Sequence, residues 1–230
     1  MPSHGYVLYL ALGDSLSIDK FAGPGLGAAS LLYRNQDQLH GEFVGRDLVH
    51  LNPACRLLNR AEDGQTSEAV LDQLDHLPRE SGPTLITLTV GGNDLIALLN
   101  HGSRDLTEVL ARIESIVRFL KGYYPSSTVL LGNVYDPSDG TGRVQSGHER
   151  FAPGLPVLGQ LNGRLRELAA ATSVRLIDIY GHFLGHGLRH ADPGFAHYHP
   201  DDPTGWICFD IEPNPRGSSE IRRLFWEALP

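Results

Sequence analysis

The chain reads as an α/β protein, a parallel β-sheet covered by helices on both faces. Three observations give that class. Short apolar runs alternate with amphipathic helical stretches along the whole sequence. The apolar runs are continuous, as in strands buried on both faces. Polar turns rich in Gly, Ser and Asn follow the first three of these runs directly, at the edge where parallel sheets carry their ligand sites.

The elements follow in order. "YVLYLAL" (Tyr6 to Leu12) is the first strand. A Gly-rich stretch, "FAGPGLGAAS", leads to a helix over "ASLLYRNQDQL". "CRLLNRA" (Cys55 to Ala61) fits a second strand, and "SEAVLDQLDHL" a helix capped by Ser67. "TLITLTV" (Thr84 to Val90) is β-rich and stops at Gly91-Gly92. The next helix has the clearest period, with Leu106, Val109, Leu110, Ile113, Ile116, Val117 and Leu120 spaced by three and four. "STVLLGNVY" is a fourth strand, "LPVLGQLNGRLRELAAATS" a helix, and "VRLIDIY" (Val174 to Tyr180) a fifth strand. A segment over 181–211, rich in His, Pro, Gly and Asp, is too long for a simple connection. "SSEIRRLFWEAL" closes the chain as a helix.

At 230 residues and 41 % hydrophobic content, with no repeat or low-complexity linker, the sequence suits one domain over 1–230. Lys and Arg number 19 against 27 Asp and Glu, a formal charge of −8. No basic run appears, which argues against a nucleic-acid partner. Two cysteines, Cys55 and Cys208, give neither a disulfide framework nor a Cys-x-x-Cys metal site and fit two buried thiols. "YVLYLAL" is too short for a membrane span, and the N-terminus lacks a charged, then apolar, leader pattern. The expectation is a cytoplasmic protein.

Three motifs carry chemistry. "ALGDSLS" places Ser15 in a tight turn after the first strand, where backbone amides can hold an oxyanion. "NRAEDGQTS" puts Gly64 at a turn after the second strand, where its amide meets no side chain of its own. "TVGGNDL" places Asn93 after the third strand, with a side-chain amide that donates without titrating.

Together, in this order, the three resemble the first sequence blocks of the SGNH/GDSL hydrolase superfamily, and the resemblance runs on to "PNPRG" before the last helix. It implies a flavodoxin-like three-layer α/β/α sandwich with a five-stranded parallel sheet. It implies a serine hydrolase that cleaves short acyl or O-acetyl esters of small molecules through an acyl-enzyme, with no metal or cofactor. Ser15 would be the nucleophile, and the amides of Ser15 and Gly64 with the Asn93 side chain would form the oxyanion hole. Asp14, Asp94, His182 and His199 are expected on the substrate-binding wall.

The last block departs from the family pattern, Asp-x-x-His, often followed by Pro-Asn. Aligned on Pro213-Asn214, the His position holds Glu212 and the Asp position Phe209, with Asp210 one residue out of register. Three readings follow. A histidine of the long segment enters the site and Glu212 orients it, with His186 in "LGHGL" the first candidate among His182, His186, His190, His197 and His199. Glu212 is itself the base, which requires a carboxyl well above its ordinary value. Or the site binds an acyl group or carbohydrate without turnover. A metal-dependent hydrolase is a further alternative, because His182, His186 and His190 are spaced by four behind Asp178; the internal glycines oppose a continuous helix there.

Overall fold

A computed structural model describes residues 5–144 and 151–230. Five strands, β1 (Leu8–Gly13), β2 (Arg56–Asn59), β3 (Thr84–Thr89), β4 (Ser127–Gly132) and β5 (Arg175–Ile177), form one sheet in the order β2-β1-β3-β4-β5. Every pairing is parallel. The helices are α1 (Ala28–Tyr33), α2 (Leu48–Leu51), α3 (Ser67–Gln73), α4 (Gly92–Asn100), α5 (Thr107–Tyr123), α6 (Leu155–Thr172), α7 (Ile179–Phe183) and α8 (Pro215–Glu227). The result is the flavodoxin-like three-layer sandwich expected from the sequence.

The continuous apolar strands explain the layering. Along β1 and β3, Leu8, Leu10, Leu12, Ile86 and Leu88 face the layer of α3, α5 and α6. Tyr9, Ala11 and Leu85 face the layer of α1, α7 and α8, where Ala28, Leu32, Phe183, Ile221 and Phe225 pack. Each fully buried aliphatic side chain is worth about 1.5–3 kcal/mol of transfer free energy. A charge at Leu10, which is wholly buried in the sheet, would therefore undo the contact of β1 with the layer of α3, α5 and α6.

The strand order reverses between β1 and β3, and that switch point is where a doubly wound sheet opens a crevice. Gly13 pairs in register with Thr89, so the segments after β1 and β3 leave the sheet side by side. Gly13 has φ +119°, and a Cβ there would lie 1.8 Å from the Thr89 carbonyl oxygen, so only glycine allows this approach.

Several boundaries differ from the sequence pattern. The first helix stops at Tyr33 because the Asn35 backbone amide donates to Asp47 (3.1 Å). Thr66, not Ser67, is the N-cap of α3; the Ser67 hydroxyl donates instead to Asp94 (2.6 Å). The fifth strand ends at Ile177 because the Asp178 side chain caps α7, accepting from Gly181 N (3.0 Å). "DPSDGTG" is not a solvated loop. Asp136, Ser138 and Asp139 are buried, and Asp139 accepts the Gly185 and Arg189 amides (2.8 Å each), bracing the long segment. That segment also contains a strand pair the sequence pattern hides, β6 (Ile207–Cys208) antiparallel to β7 (Glu212–Pro213). Among the described residues no helix is long and apolar enough to cross a membrane. Cys55 is buried and Cys208 half-buried, and both are free thiols.

Candidate active site

Ser15 opens a short 3-10 turn, Ser15–Ser17, immediately beyond β1. Asp14 is its N-cap and fixes the turn twice, accepting from Leu16 N (3.2 Å) and from the Thr89 hydroxyl (2.9 Å). The Ser17 and Thr89 hydroxyls lie 3.2 Å apart, so the turn is pinned to the end of β3. As the first residue of the turn, Ser15 has a backbone amide with no partner inside it.

Gly91, at φ +111°, reverses the chain after β3, and α4 begins at Gly92. Asn93 thus sits in the first turn of α4, and its Nδ2 donates to the Gln65 carbonyl (3.0 Å). An Asn amide carries two N–H bonds, so one stays available. The same contact ties the turn after β2 to the site. Gly64 in that turn has φ +75°, yet a Cβ there would meet nothing within 4 Å. The backbone dihedral, not crowding, asks for glycine at this position.

Ser15 and Asn93 line one cavity of about 100 Å³ at the carboxyl ends of β1, β3 and β4. Asp14, Tyr135 and Glu212 share it, and Leu95, Ile96, Leu99, Leu155 and Leu158 make an apolar wall. Gly64 does not line the cavity.

Glu212 arrives on the β6–β7 hairpin. Phe209 (φ +46°) and Asp210 (φ +69°) take left-handed conformations at its tip, a costly arrangement for non-glycine residues. The Tyr135 hydroxyl donates to the Ile211 carbonyl on one side of Glu212. On the other side Asn214 N donates to Trp206 O (2.8 Å), and the Asn214 side chain caps α8. The carboxylate is buried in the same cavity as Ser15, and its Oε2 has no hydrogen-bond partner among the described residues. Burial raises its pKa above the ordinary 4.5 and nearby Asp63 adds to this; the neighbouring Ser15 hydroxyl and Lys20 act the other way.

Asp14 is pushed up to about 7, chiefly by burial, with the negative charge of Glu212 adding to it and the bonds from Thr89 and Leu16 opposing it. The Tyr135 phenol is held well above its ordinary value by burial and then by the charges of Glu212 and Asp14. The cavity floor is thus acidic and poor in compensating charge.

Among the described residues no histidine lines this cavity. The expectation that His186 meets Ser15 is corrected by the path of the long segment. His186 Nδ1 lies 3.0 Å from the Thr204 carbonyl, and its ring stacks on Trp206 (3.5 Å, 4°) and on His199 (4.5 Å, 11°). Burial lowers its pKa, which suits a neutral packed ring. His199 Nε2 contacts the Leu184 carbonyl (3.0 Å), and His182 Nε2 contacts Glu220 (3.0 Å). Neither lines the cavity, so neither forms the substrate wall expected of it. Asp94 is turned away as well: it accepts from the Ser67 amide (2.8 Å) and hydroxyl and holds the start of α3. Among the four residues assigned to that wall, Asp14 alone lines the cavity. Helix α7 ends at Phe183 and Gly185 turns the chain at φ +90°, so His182, His186 and His190 do not share a helical face.

Sequence reasoning passed over Thr89 and Tyr135. Both carry a usable signal, since each lies where a strand's carboxyl end meets the switch point.

The sequence model of the GDSL-like lipase/acylhydrolase family matches residues 11–204. The chain belongs to that family. It is accordingly a carboxylic ester hydrolase. No curated protein matches it significantly in sequence. Solved GDSL-type hydrolases share its fold. Phospholipase A1 from Streptomyces albidoflavus NA297 is 21 % identical, with a TM-score of 0.65 over 97 % of this chain and 99 % of that one. An extracellular lipase from Streptomyces rimosus is 18 % identical (TM-score 0.65, 97 % and 99 % covered). An acetylxylan esterase from Geobacillus stearothermophilus is 18 % identical (TM-score 0.63, 96 % and 92 % covered). At these identities the likeness is one of fold.

Proposed function

We propose that this GDSL-family hydrolase cleaves carboxylic esters of short acyl groups, O-acetyl esters included, through an acyl-enzyme on Ser15. The observation that carries the reading is the meeting of Ser15, Asn93 and an apolar wall in one small cavity at the switch point. Ser15 Oγ attacks the acyl carbon. The oxyanion that forms takes hydrogen bonds from the Ser15 backbone amide and from the free N–H of Asn93. The acyl group lies against Leu95, Leu99 and Leu158, while the alcohol leaves toward solvent. Water then cleaves the Ser15 ester and releases the acid.

Labelling by diethyl p-nitrophenyl phosphate tests the nucleophile, because that reagent phosphorylates an activated serine. The wild type should gain one diethylphosphoryl group, on the peptide containing Ser15. The Ser15→Ala variant should gain none and should lose at least about 10³-fold in turnover of p-nitrophenyl acetate. Turnover within tenfold of wild type by Ser15→Ala would overturn the reading.

A further inference from the structure

We infer that Glu212 is itself the general base that takes the Ser15 proton, so that this hydrolase works through a Ser15–Glu212 pair with no histidine. The inference rests on the reading of Ser15 as nucleophile and names the group that activates it.

Geometry carries it. Among the described residues no histidine lines the cavity, and His182, His186, His190 and His199 each have a ring nitrogen at another protein oxygen. Glu212 instead shares the cavity with Ser15, and one of its carboxylate oxygens is buried and unpartnered. A buried polar atom without a partner is costly and calls for an explanation. An oxygen kept ready for a proton, or for the hydroxyl of a substrate or water, is one. The carboxylate is also held from both sides, through Tyr135 at Ile211 and through Asn214 at Trp206, so its position is fixed before substrate arrives.

The step balances. The Ser15 Oγ–H bond breaks and its proton passes to Glu212 as the Oγ–acyl carbon bond forms. The ester C–O bond then breaks, and Glu212 returns the proton to the leaving alkoxide. In the second half, water loses a proton to Glu212 while its oxygen attacks the acyl carbon. Ser15 Oγ leaves with that proton. Ester and water become acid and alcohol.

Charges around Glu212 come from every packed element. Asp14 stands beside Ser15 after β1, Lys20 and Asp63 lie on the neighbouring loops, Tyr135 follows β4, and Cys208 is across the hairpin. Lys20 and Asp63 pair with each other. Burial raises the Asp14 carboxyl, and the negative charge of Glu212 adds to it. Burial likewise raises the Glu212 carboxyl, which makes it a better base than an ordinary one.

The test compares kcat/KM against pH for the wild type, Glu212→Gln, Glu212→His and a Gln substitution at each of the 11 histidines in turn. Folding is checked by thermal unfolding. The wild-type profile should keep its acid limb through every histidine substitution. Glu212→Gln should lose about 10²–10⁴-fold, the usual worth of a general base. Glu212→His should retain more activity than Glu212→Gln and place the acid limb at about 6.5, the ordinary imidazole value. No histidine substitution should cost more than tenfold. A Glu212→Gln enzyme within threefold of wild type, or a folded single-histidine variant as damaged as Ser15→Ala, would overturn the base while leaving Ser15 in place. Full turnover by Ser15→Ala would remove both.

Discussion

Glu220→Gln should weaken the fold at neutral pH and do so less and less as the solution is acidified. Glu220 sits almost wholly buried on α8, 3 % exposed, facing two arginines and a histidine ring. Its Oε2 meets His182 Nε2 and Arg223 Nε, each at 3.0 Å, and its Oε1 meets Arg216 at 3.3 Å. These partners overcome the cost of burial and hold the carboxyl at about 2 instead of the ordinary 4.5. Each pKa unit is worth about 1.4 kcal/mol, so complete coupling would contribute about 3 kcal/mol. Arg216 and Arg223 are 44 % and 27 % exposed, and solvent screening brings the expected figure to about 1–2 kcal/mol. The sign follows from the lowered pKa. The stabilisation is complete above about 4.5 and is lost as pH falls from there toward about 2, where the folded carboxyl also protonates. Urea unfolding of wild type and Glu220→Gln at about pH 7 and about pH 3 measures this directly. The variant should be less stable by about 1–2 kcal/mol at the higher pH, with a clearly smaller gap at the lower. A gap below about 0.5 kcal/mol at pH 7, or one that does not shrink, would refute the reasoning. Ester hydrolysis should stay within about threefold, because Glu220 does not line the cavity.

Two further outcomes concern the cavity. Asn93→Ala should lower kcat by about 10²–10³-fold with little change in KM, as for a lost oxyanion donor; a loss under threefold in steady-state kinetics would mean that its free N–H does not face the oxyanion. Asp14→Asn should flatten the alkaline side of the kcat/KM profile. The Asp14 carboxyl, pushed up to about 7, is neutral below that pH and places a negative charge beside the developing oxyanion above it, so wild-type activity should fall as pH rises through about 7 while the variant keeps its plateau.

The parts legible in the sequence are those fixed by local pattern. "YVLYLAL" is apolar at every position and "TLITLTV" alternates aliphatic residues with β-favouring threonines, and strands covered on both faces satisfy them. The turns bearing Ser15 and Asn93 follow these strands within a few residues, so the sheet alone delivers them to one edge. The position of Glu212 was readable too, because Pro213, Asn214 and Gly217 form a helix start whose capping is local: Asn214 Oδ1 accepts from Gly217 N at 3.0 Å. What failed was the inference from the glycines around His186. They suggest close backbone approach, and they do provide it, but within the segment. A Cβ on Gly185 would lie 1.9 Å from the His197 carbonyl, and one on Gly187 2.4 Å from that of Pro137. The ring they free packs on Trp206, twenty positions along the chain. Neither that partner nor the clamp from Tyr135 onto Ile211 leaves a trace in spacing or periodicity, since both depend on how distant segments dock.

The loss of the family's acid and the change of its base are physically one event. An imidazole needs an orienting acid because it has two nitrogens. One must take the serine proton, and the other must hold its own proton in the right tautomer and share the positive charge that develops. A carboxylate has no second N–H to hold and becomes neutral, not cationic, when it accepts the proton. With Glu212 at the base position, an acid three residues earlier would only repel it. That place is taken by Phe209, 73 % exposed at the left-handed tip of the hairpin, with its ring 5.8 Å from that of Phe21. Support for Glu212 comes instead from groups that position it without adding charge: the Tyr135 hydroxyl at Ile211 and the Asn214 amide at Trp206. Asp14, beside the site, is pushed up to about 7 chiefly by burial, so it adds no charge below that pH. A histidine placed at 212 would therefore find room but no partner for its far nitrogen at position 209. This is why Glu212→His is expected to restore part of the activity and not to exceed the wild type.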